Sequence, residues 1–302
     1  MPELPLVSIL LPVYNGEQTL KTTMESLLNQ TYTKFEILIG IDGTKDGSKV
    51  IAESFQDPRI KIIDHPKNLG VANNLNVLIK HMAAESEYFA IAEQDDLYVP
   101  ERLEWQIAVM QKHPEVGLVS GIAKFLYEED EVLFPGLLCR GEQFPQLEDL
   151  FKFLYIKQLK VVNSCMMVRK QVHLENYFSF NNRYGNFNVD WDYVLRFCLA
   201  SNIYGIPKLL VIMNRGFTNT SVTRDKRGQH QASRQLLKDF LVEFNNILSR
   251  NHYQKALKEH RKVELGHHTK WRIIFLGIYY TLLYQDLYFL NYLLKRIKRY
   301  LK

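Results

Sequence analysis

Glu93-Gln94-Asp95-Asp96 puts three carboxylates within four residues. They follow directly on Tyr88-Phe89-Ala90-Ile91-Ala92, an apolar run with the length and composition of a buried parallel strand. Charges just beyond the carboxyl end of such a strand lie where open α/β sheets take their ligands. Hard carboxylate oxygens on a short turn suit Mg²⁺ or Mn²⁺, and an ion of that kind suits a diphosphate. The competing reading of the same residues is a solvated acidic turn ahead of a helix that opens at Pro100.

The elements that must hold this cluster can be read from periodicity. Strands are expected at 7–11, 35–41, 59–64, 88–92 and 116–122, and helices at 71–82 and 101–112. Between the first two strands, Asn15 reads as a helix cap with Gln18 as its capping-box partner, and Leu20, Met24, Leu27 and Leu28 form the apolar face. Asp42-Gly43-Thr44-Lys45-Asp46-Gly47 is a turn-rich loop, followed by a helix to about Phe55. In the second half, 128–143 reads as a loop or small hairpin. It is followed by a helix from Pro145 to 158, a strand at 161–168, a helix at 189–201, a strand at 208–213 and helices from 229. Alternation of this kind implies right-handed βαβ units: an α/β fold, a mostly parallel sheet flanked by helices, with a helical C-terminal extension. The expected division is 1–225 and 226–302.

At 302 residues the chain can bury a full α/β core. Cys139, Cys165 and Cys198 form no CxxC pair, which favours a reducing compartment. Residues 1–5 lack a basic stretch ahead of an apolar one, so no signal peptide is expected. The net charge of +5 is uneven: residues 251–302 hold eleven Lys or Arg against three Asp or Glu, a balance of +8, leaving −3 for the rest. That argues against a nucleic-acid groove on the main region. There is neither a GxGxxG nor a GxxxxGK[ST], so a phosphate-bearing ligand has to be held by metal and loops.

Four segments, taken together, carry a resemblance. Val7-Ser8-Ile9-Leu10-Leu11-Pro12-Val13-Tyr14-Asn15-Gly16-Glu17, with Ser26-Leu27-Leu28-Asn29-Gln30-Thr31, is similar to the opening of family 2 glycosyltransferases of the GT-A fold. The Asp42–Gly47 loop, Asn68-Leu69-Gly70-Val71-Ala72 and Glu93-Gln94-Asp95-Asp96 follow in the family's order and spacing, and the resemblance covers about residues 5–225. The Gln-Asp-Asp variant looks most like bacterial surface-polysaccharide enzymes.

The resemblance implies a nucleotide-sugar site. Pro12, Val13, Tyr14 and Glu17 would frame the base and ribose, with Asn68 and Gln94 beside them. Asp42 would accept from N3–H of uracil, a donor that thymine shares, so UDP and dTDP are not separated. Asp95 matches the family's usual metal ligand, with Asp96 and Glu93 supporting it on Mn²⁺ or Mg²⁺. Asp190 matches the base that takes the acceptor's proton, and Arg215 the cation near the diphosphate. The alternative for Asp190 is a helix cap. Asp192 and Arg196 form an i,i+4 pair and read as structural. Departures from the family pattern stand at Ile41, Glu93, Val189 and Phe217. The implied activity is inverting transfer of a sugar to a glycan hydroxyl, with a lipid-linked oligosaccharide expected as acceptor, at the cytoplasmic face of the membrane.

Residues 273–294 contain one charge, Asp286, and basic residues flank them. The length could span a bilayer. Tyrosines and flanking cations favour helices lying in the interface instead, as a peripheral membrane contact. A helical hairpin packed on the domain or on a second subunit, as a homodimer, is the alternative. Two other functions compete. A nucleotidyltransferase needs a Gly-rich basic loop after the first strand, where Pro12-Val13-Tyr14-Asn15 stands. A degenerate, non-catalytic scaffold would explain the four departures.

Overall fold

A computed structural model describes residues 4–127, 130–139, 142–215 and 225–300. The chain divides into two compact units, Met1–Phe151 with Lys160–Val222, and Lys152–Leu159 with Thr223–Lys302.

The first unit is built on a nine-stranded sheet. Its strands are β1 (Leu6–Val13), β2 (Phe35–Asp42), β3 (Ile60–His65), β4 (Ser86–Ile91), β5 (Asp96–Tyr98), β6 (Val116–Leu126), β7 (Glu131–Phe134), β10 (Met167–Arg169) and β11 (Asn202–Asn214), while β8 (Leu138–Cys139) and β9 (Glu142–Gln143) pair separately. The spatial order is β3-β2-β1-β4-β10-β6-β11-β5, with β7 on β6. β3, β2, β1 and β4 are parallel; β10 lies antiparallel between β4 and β6; β6 and β11 are again parallel. All eight positions of β2 are buried, as a strand covered on both faces requires. Helices α1 (Leu20–Leu28), α2 (Ser48–Ser54), α3 (Val71–Lys80) and α4 (Arg102–Lys112) connect the parallel strands, and α5 (Leu147–Lys157), α6 (Lys170–Glu175) and α7 (Val189–Phe197) follow. Apart from residues 152–157 of α5, which belong to it, the second unit is helical through α8 (Lys226–Glu243), α9 (Arg250–Leu265), α10 (Lys270–Tyr284) and α11 (Tyr288–Tyr300).

Several elements differ from expectation. Asn15 does not cap α1: the helix begins at Leu20 with Thr19 at its N-cap and no side-chain cap bond. Asn15 is left-handed (φ 51°), and its side-chain oxygen accepts from Lys45 N–H at 3.1 Å, so a tertiary partner takes the group that a cap would have used. The strand expected at 161–168 is broken by a 3₁₀ turn at Asn163–Cys165, which leaves only β10. The helix expected to run to 201 ends at Phe197. β5 and α6 were not expected at all. The segment 128–143 contains β7, which pairs back on β6, and the β8–β9 pair; residues 128, 129, 140 and 141 lie outside the described residues. The 273–294 stretch falls on two helices, as the interfacial helices and the hairpin alternative both have it, and they part where Gln285 turns left-handed (φ 49°). Among the described residues no helix is long and apolar enough to cross a membrane.

Candidate active site

The acidic turn is carried by a fully buried stretch of the sheet. Phe89, Ala90, Ile91 and Ala92 are fully buried, and Ala92 N–H donates to Leu10 O at 2.9 Å, which binds the end of β4 to β1. The turn is then pinned from below. Glu93 N–H donates to the Tyr98 hydroxyl at 2.7 Å, and the Thr23 hydroxyl reaches the carbonyls of Gln94 and Asp96 at 2.8 and 2.9 Å. Asp96 itself opens β5, opposite Met213 of β11. Arg102 lies buried under the turn, donating to Ile91 O at 2.9 Å and Met166 O at 3.3 Å, with its guanidinium 4.6 Å over the Tyr98 ring.

Glu93, Asp95 and Asp96 each offer an oxygen within 4.8 Å of the other two, a set that could hold a metal ion. Their charges are poorly balanced. Asp96 is fully buried; its Oδ2 accepts from the Ser164 hydroxyl, and its Oδ1 has no hydrogen-bond partner among the described residues. Burial, then the charges of Glu93 and Asp95, push the Asp96 carboxyl well above its ordinary range. Burial and Asp95 likewise push Glu93 up to about 7, against the opposing pull of Arg215 and the 3.1 Å bond from Asn163 Nδ2. The cation facing the cluster is Arg215, 3.9 Å from Asp95. Three hard oxygens, one of them buried and unsatisfied, fit a divalent ion of the Mg²⁺ or Mn²⁺ type, because an added positive charge removes the cost of burying like charges together.

Asp190 stands in the first turn of α7, and its charge adds, as the smallest contribution, to the upward push on Glu93. It does not cap the helix: Asn188, left-handed at φ 54°, holds the N-cap position, and its side-chain oxygen accepts from Lys160 Nζ at 2.6 Å. Asp192 is buried and accepts from Arg196 Nε at 3.0 Å, the i,i+4 pair expected.

The loops expected around a nucleotide are bonded to one another. Gln94 clamps the backbone of Tyr14, its Oε1 accepting from Tyr14 N–H at 2.7 Å and its Nε2 donating to Tyr14 O at 3.0 Å. Glu17 N–H donates to Asp46 Oδ2 at 3.0 Å, and Glu17 Oε2 accepts from Gly47 N–H at 3.1 Å. Burial pushes Asp46 up, but bonds from Ser48, Thr44 and two backbone N–H groups outweigh it and hold the carboxyl at about 2. Asp42 is buried, and its two oxygens accept from Leu69 N–H at 2.6 Å and Gly70 N–H at 3.0 Å. Gly43 (φ 62°) lies so close to Lys67-Asn68 that a Cβ would meet Asn68 N at 2.5 Å, which brings Asn68 beside Asp42. Val13 is buried, so only its backbone can frame a ligand; Tyr14 is 45% exposed. Ile41 points into the core. Phe217 lies outside the described residues.

The structure thus gathers Glu93, Asp95, Asp96 and Arg215 at one place and joins Tyr14 to Gln94, and Asp42 to Asn68, at the neighbouring strand ends. Sequence reading missed Tyr98, Arg102, Asn163 and Ser164. The polar pair Asn163-Ser164 inside an otherwise apolar run was the one available signal.

The family model described as glycosyl transferase family 2 matches residues 8–176. The chain belongs to that family. EpsE of Bacillus subtilis (strain 168) is 29% identical over 188 residues, covering 58% of this chain and 66% of that protein, just under two thirds. The Escherichia coli UDP-Glc:alpha-D-GlcNAc-diphosphoundecaprenol beta-1,3-glucosyltransferase WfgD is 27% identical over 249 residues, covering 82% of this chain and 90% of that one. Among solved structures, residues 1–349 of S. aureus TarS superpose with a TM-score of 0.61 at 18% identity, covering 85% of this chain and 70% of TarS, and a UDP-GlcNAc complex of the same fragment gives 0.58. The mannosyltransferase PcManGT of Pyrobaculum calidifontis, in complex with GDP-Man and Mn²⁺, gives 0.56 at 16% identity over 88% of this chain and 75% of that one. The fold is therefore the GT-A glycosyltransferase fold.

Proposed function

We propose that residues 1–225 form an inverting, metal-dependent glycosyltransferase that moves one sugar from a UDP- or dTDP-linked donor to a glycan hydroxyl. One observation carries this reading: three carboxylates with an orphaned buried oxygen, at the end of β4. Asp95, Asp96 and Glu93 would hold a Mn²⁺ or Mg²⁺, which when bound would supply charge neutralisation for the departing diphosphate. Asp190 accepts the proton of the acceptor hydroxyl. The acceptor oxygen then bonds to the anomeric carbon while the bond from that carbon to the diphosphate oxygen breaks, and the electron pair leaves with the nucleoside diphosphate. Arg215 holds position against that diphosphate. The backbone of Pro12, Val13 and Tyr14 frames the base and ribose with Glu17, Asp42 and Asn68, and Gln94 keeps the frame in register with the acidic turn.

Two of the molecules to which this chain is similar are named with UDP-linked donors, and WfgD with a diphosphoundecaprenol acceptor. We extend that chemistry to this chain: the acceptor is a lipid-linked glycan of surface-polysaccharide synthesis, met at the inner face of the cell membrane, with residues 226–302 in peripheral contact. The scaffold reading draws on one observation, that both Asp42 oxygens are already engaged by backbone N–H groups.

Thermal shift of the full chain against a panel of nucleotide sugars, with Mn²⁺ and with EDTA, tests the proposal, because a ligand that binds only the native state raises Tm. The expected result is a shift with a UDP- or dTDP-sugar that needs Mn²⁺, together with slow donor hydrolysis. No shift with any donor and no hydrolysis would favour the scaffold.

A further inference from the structure

α10 is apolar on two opposite faces. Inward, Ile273 and Tyr280 are buried with Leu265, Phe289 and Leu293 in a small core. Outward, Trp271 is 84%, Phe275 68%, Ile278 49% and Leu282 74% exposed. Steps of four, three and four residues keep these four on one stripe. Tyr279 stacks on Phe275 beside it, and Leu283 and Leu287 extend the exposed apolar surface across the turn into α11. A solvated surface helix presents polar side chains on such a face, and a contiguous exposed apolar patch marks an interaction site.

Charge selects the occupant. The acidic groups of this segment are neutralised within the unit: Asp286 by Lys258 and Lys262 at 3.1 and 3.2 Å, and Glu264 by Arg234 and Arg261. Arg272, next to the stripe, and Lys295 of α11 are exposed, and residues 251–302 balance to +8. A second copy of this face would meet like charge; an anionic lipid surface meets opposite charge and takes up the apolar stripe. At 15 residues α10 is about 22 Å long, too short to cross a hydrocarbon core of about 30 Å.

We propose that α10 lies in the headgroup region of an anionic bilayer, with Trp271, Phe275, Ile278 and Leu282 inserted among the acyl chains and Arg272 and Lys295 on lipid phosphates. The contact deepens the reading of a lipid-linked acceptor and rests on it for its purpose, but it is measured without any sugar. Flotation of the full chain with phosphatidylglycerol/phosphatidylcholine vesicles should show binding that weakens at least tenfold between low and high salt. Binding should be absent from pure phosphatidylcholine vesicles. Lipids brominated near the headgroup should quench Trp271, while Trp191, fully buried, is spared. The pair Phe275→Ser and Leu282→Ser should lower vesicle binding at least tenfold with the donor thermal shift unchanged. Wild-type chain that ignores anionic vesicles and shows no bromolipid quenching overturns the proposal, as does a dimer that the same pair of substitutions converts to monomer. Either result leaves donor turnover as a separate question. Vesicle binding without any donor turnover would overturn the transferase reading alone.

Discussion

Each unit buries carboxylates, and each balances them differently. In the helical unit, Glu264 accepts from Arg234 Nη1 at 2.6 Å and from Arg261, with His268 at 3.9 Å. Burial pushes this carboxyl up, but the Arg261 and Arg234 charges outweigh it and hold it below its ordinary range. In the sheet unit, burial and like charge act in the same direction on Glu93 and Asp96, and the Arg215 guanidinium lies 3.9 Å from Asp95. One cluster is complete in itself and serves the fold. The other carries an excess of negative charge that the described residues do not neutralise, as the proposed cation and diphosphate site requires.

The largest effects should come from breaking the second cluster. Asp95→Ala should reduce donor turnover to background, about 10³-fold or more, and abolish metal-dependent nucleotide binding. Asp190→Asn should leave donor binding nearly intact and lower kcat by roughly 10²–10⁴, the span of general-base catalysis. A raised KM with unchanged kcat would make Asp190 a binding residue. Glu264→Gln, by contrast, should leave kcat unchanged in folded protein but cost about 3–5 kcal/mol in the helical unit, because Arg234 and Arg261 lose their buried partner.

Asp96→Asn sharpens the contrast. The amide can still accept from Ser164, and the uncompensated charge is gone. Metal-free variant protein should therefore melt higher than wild type by the equivalent of about 1–2 kcal/mol, and Mn²⁺ should no longer raise its Tm. A lower metal-free Tm would mean that Asp96 is an ordinary structural carboxylate.

Acid should affect the two units in opposite directions. Glu93 binds its proton more tightly folded than unfolded, so its contribution is present below about 4.5 and lost as pH rises through about 7. His230 and His260 are buried, and burial holds them down to about 4 and about 3. The Lys226, Arg234 and Arg261 charges reinforce this shift and Glu264 opposes it. Their contribution is present above about 6.5 and fades as pH falls towards 4. Hydrogen exchange on metal-free protein at pH 5 and pH 8, corrected for intrinsic rates, should show β4–β5 better protected at pH 5 and α8–α9 at pH 8. Parallel trends would contradict the contrast.

The smallest effect belongs to Gln94. Its paired bonds to Tyr14 join the acidic turn to the nucleotide loop. Gln94→Ala should weaken donor binding about tenfold, as two lost hydrogen bonds predict, with the apparent Kd for Mn²⁺ alone unchanged. Isothermal titration of each ligand separates the two.

The alternation of strands and helices through residue 126 could be read because period 2 and period 3.6 are local signals, and the Asp192–Arg196 pair because both partners sit on one helix. Asn15 could not: its capping signature is local, but Lys45, thirty residues on, takes its side chain. β5 was hidden because its partner β11 lies more than a hundred residues away, and a three-residue strand has no period to detect. Separations of 68 and 70 residues hid Ser164 and Asn163, whose bonds to Asp96 and Glu93 exist only in the fold. In the tail, apolar residues on both faces of α10 blurred the periodicity, and the break at Gln285 left no proline or glycine to announce it.

The central claim is that Glu93, Asp95 and Asp96 complete a divalent-cation site needed for sugar transfer. Isothermal titration of Mn²⁺ into the full chain, with and without UDP or dTDP, tests it most directly. Wild type should bind one ion per chain, more tightly as pH rises through about 7 and more tightly again with nucleotide, and Asp95→Ala should bind none. Equal Mn²⁺ binding by wild type and Asp95→Ala, or full donor turnover in excess EDTA, would contradict the account.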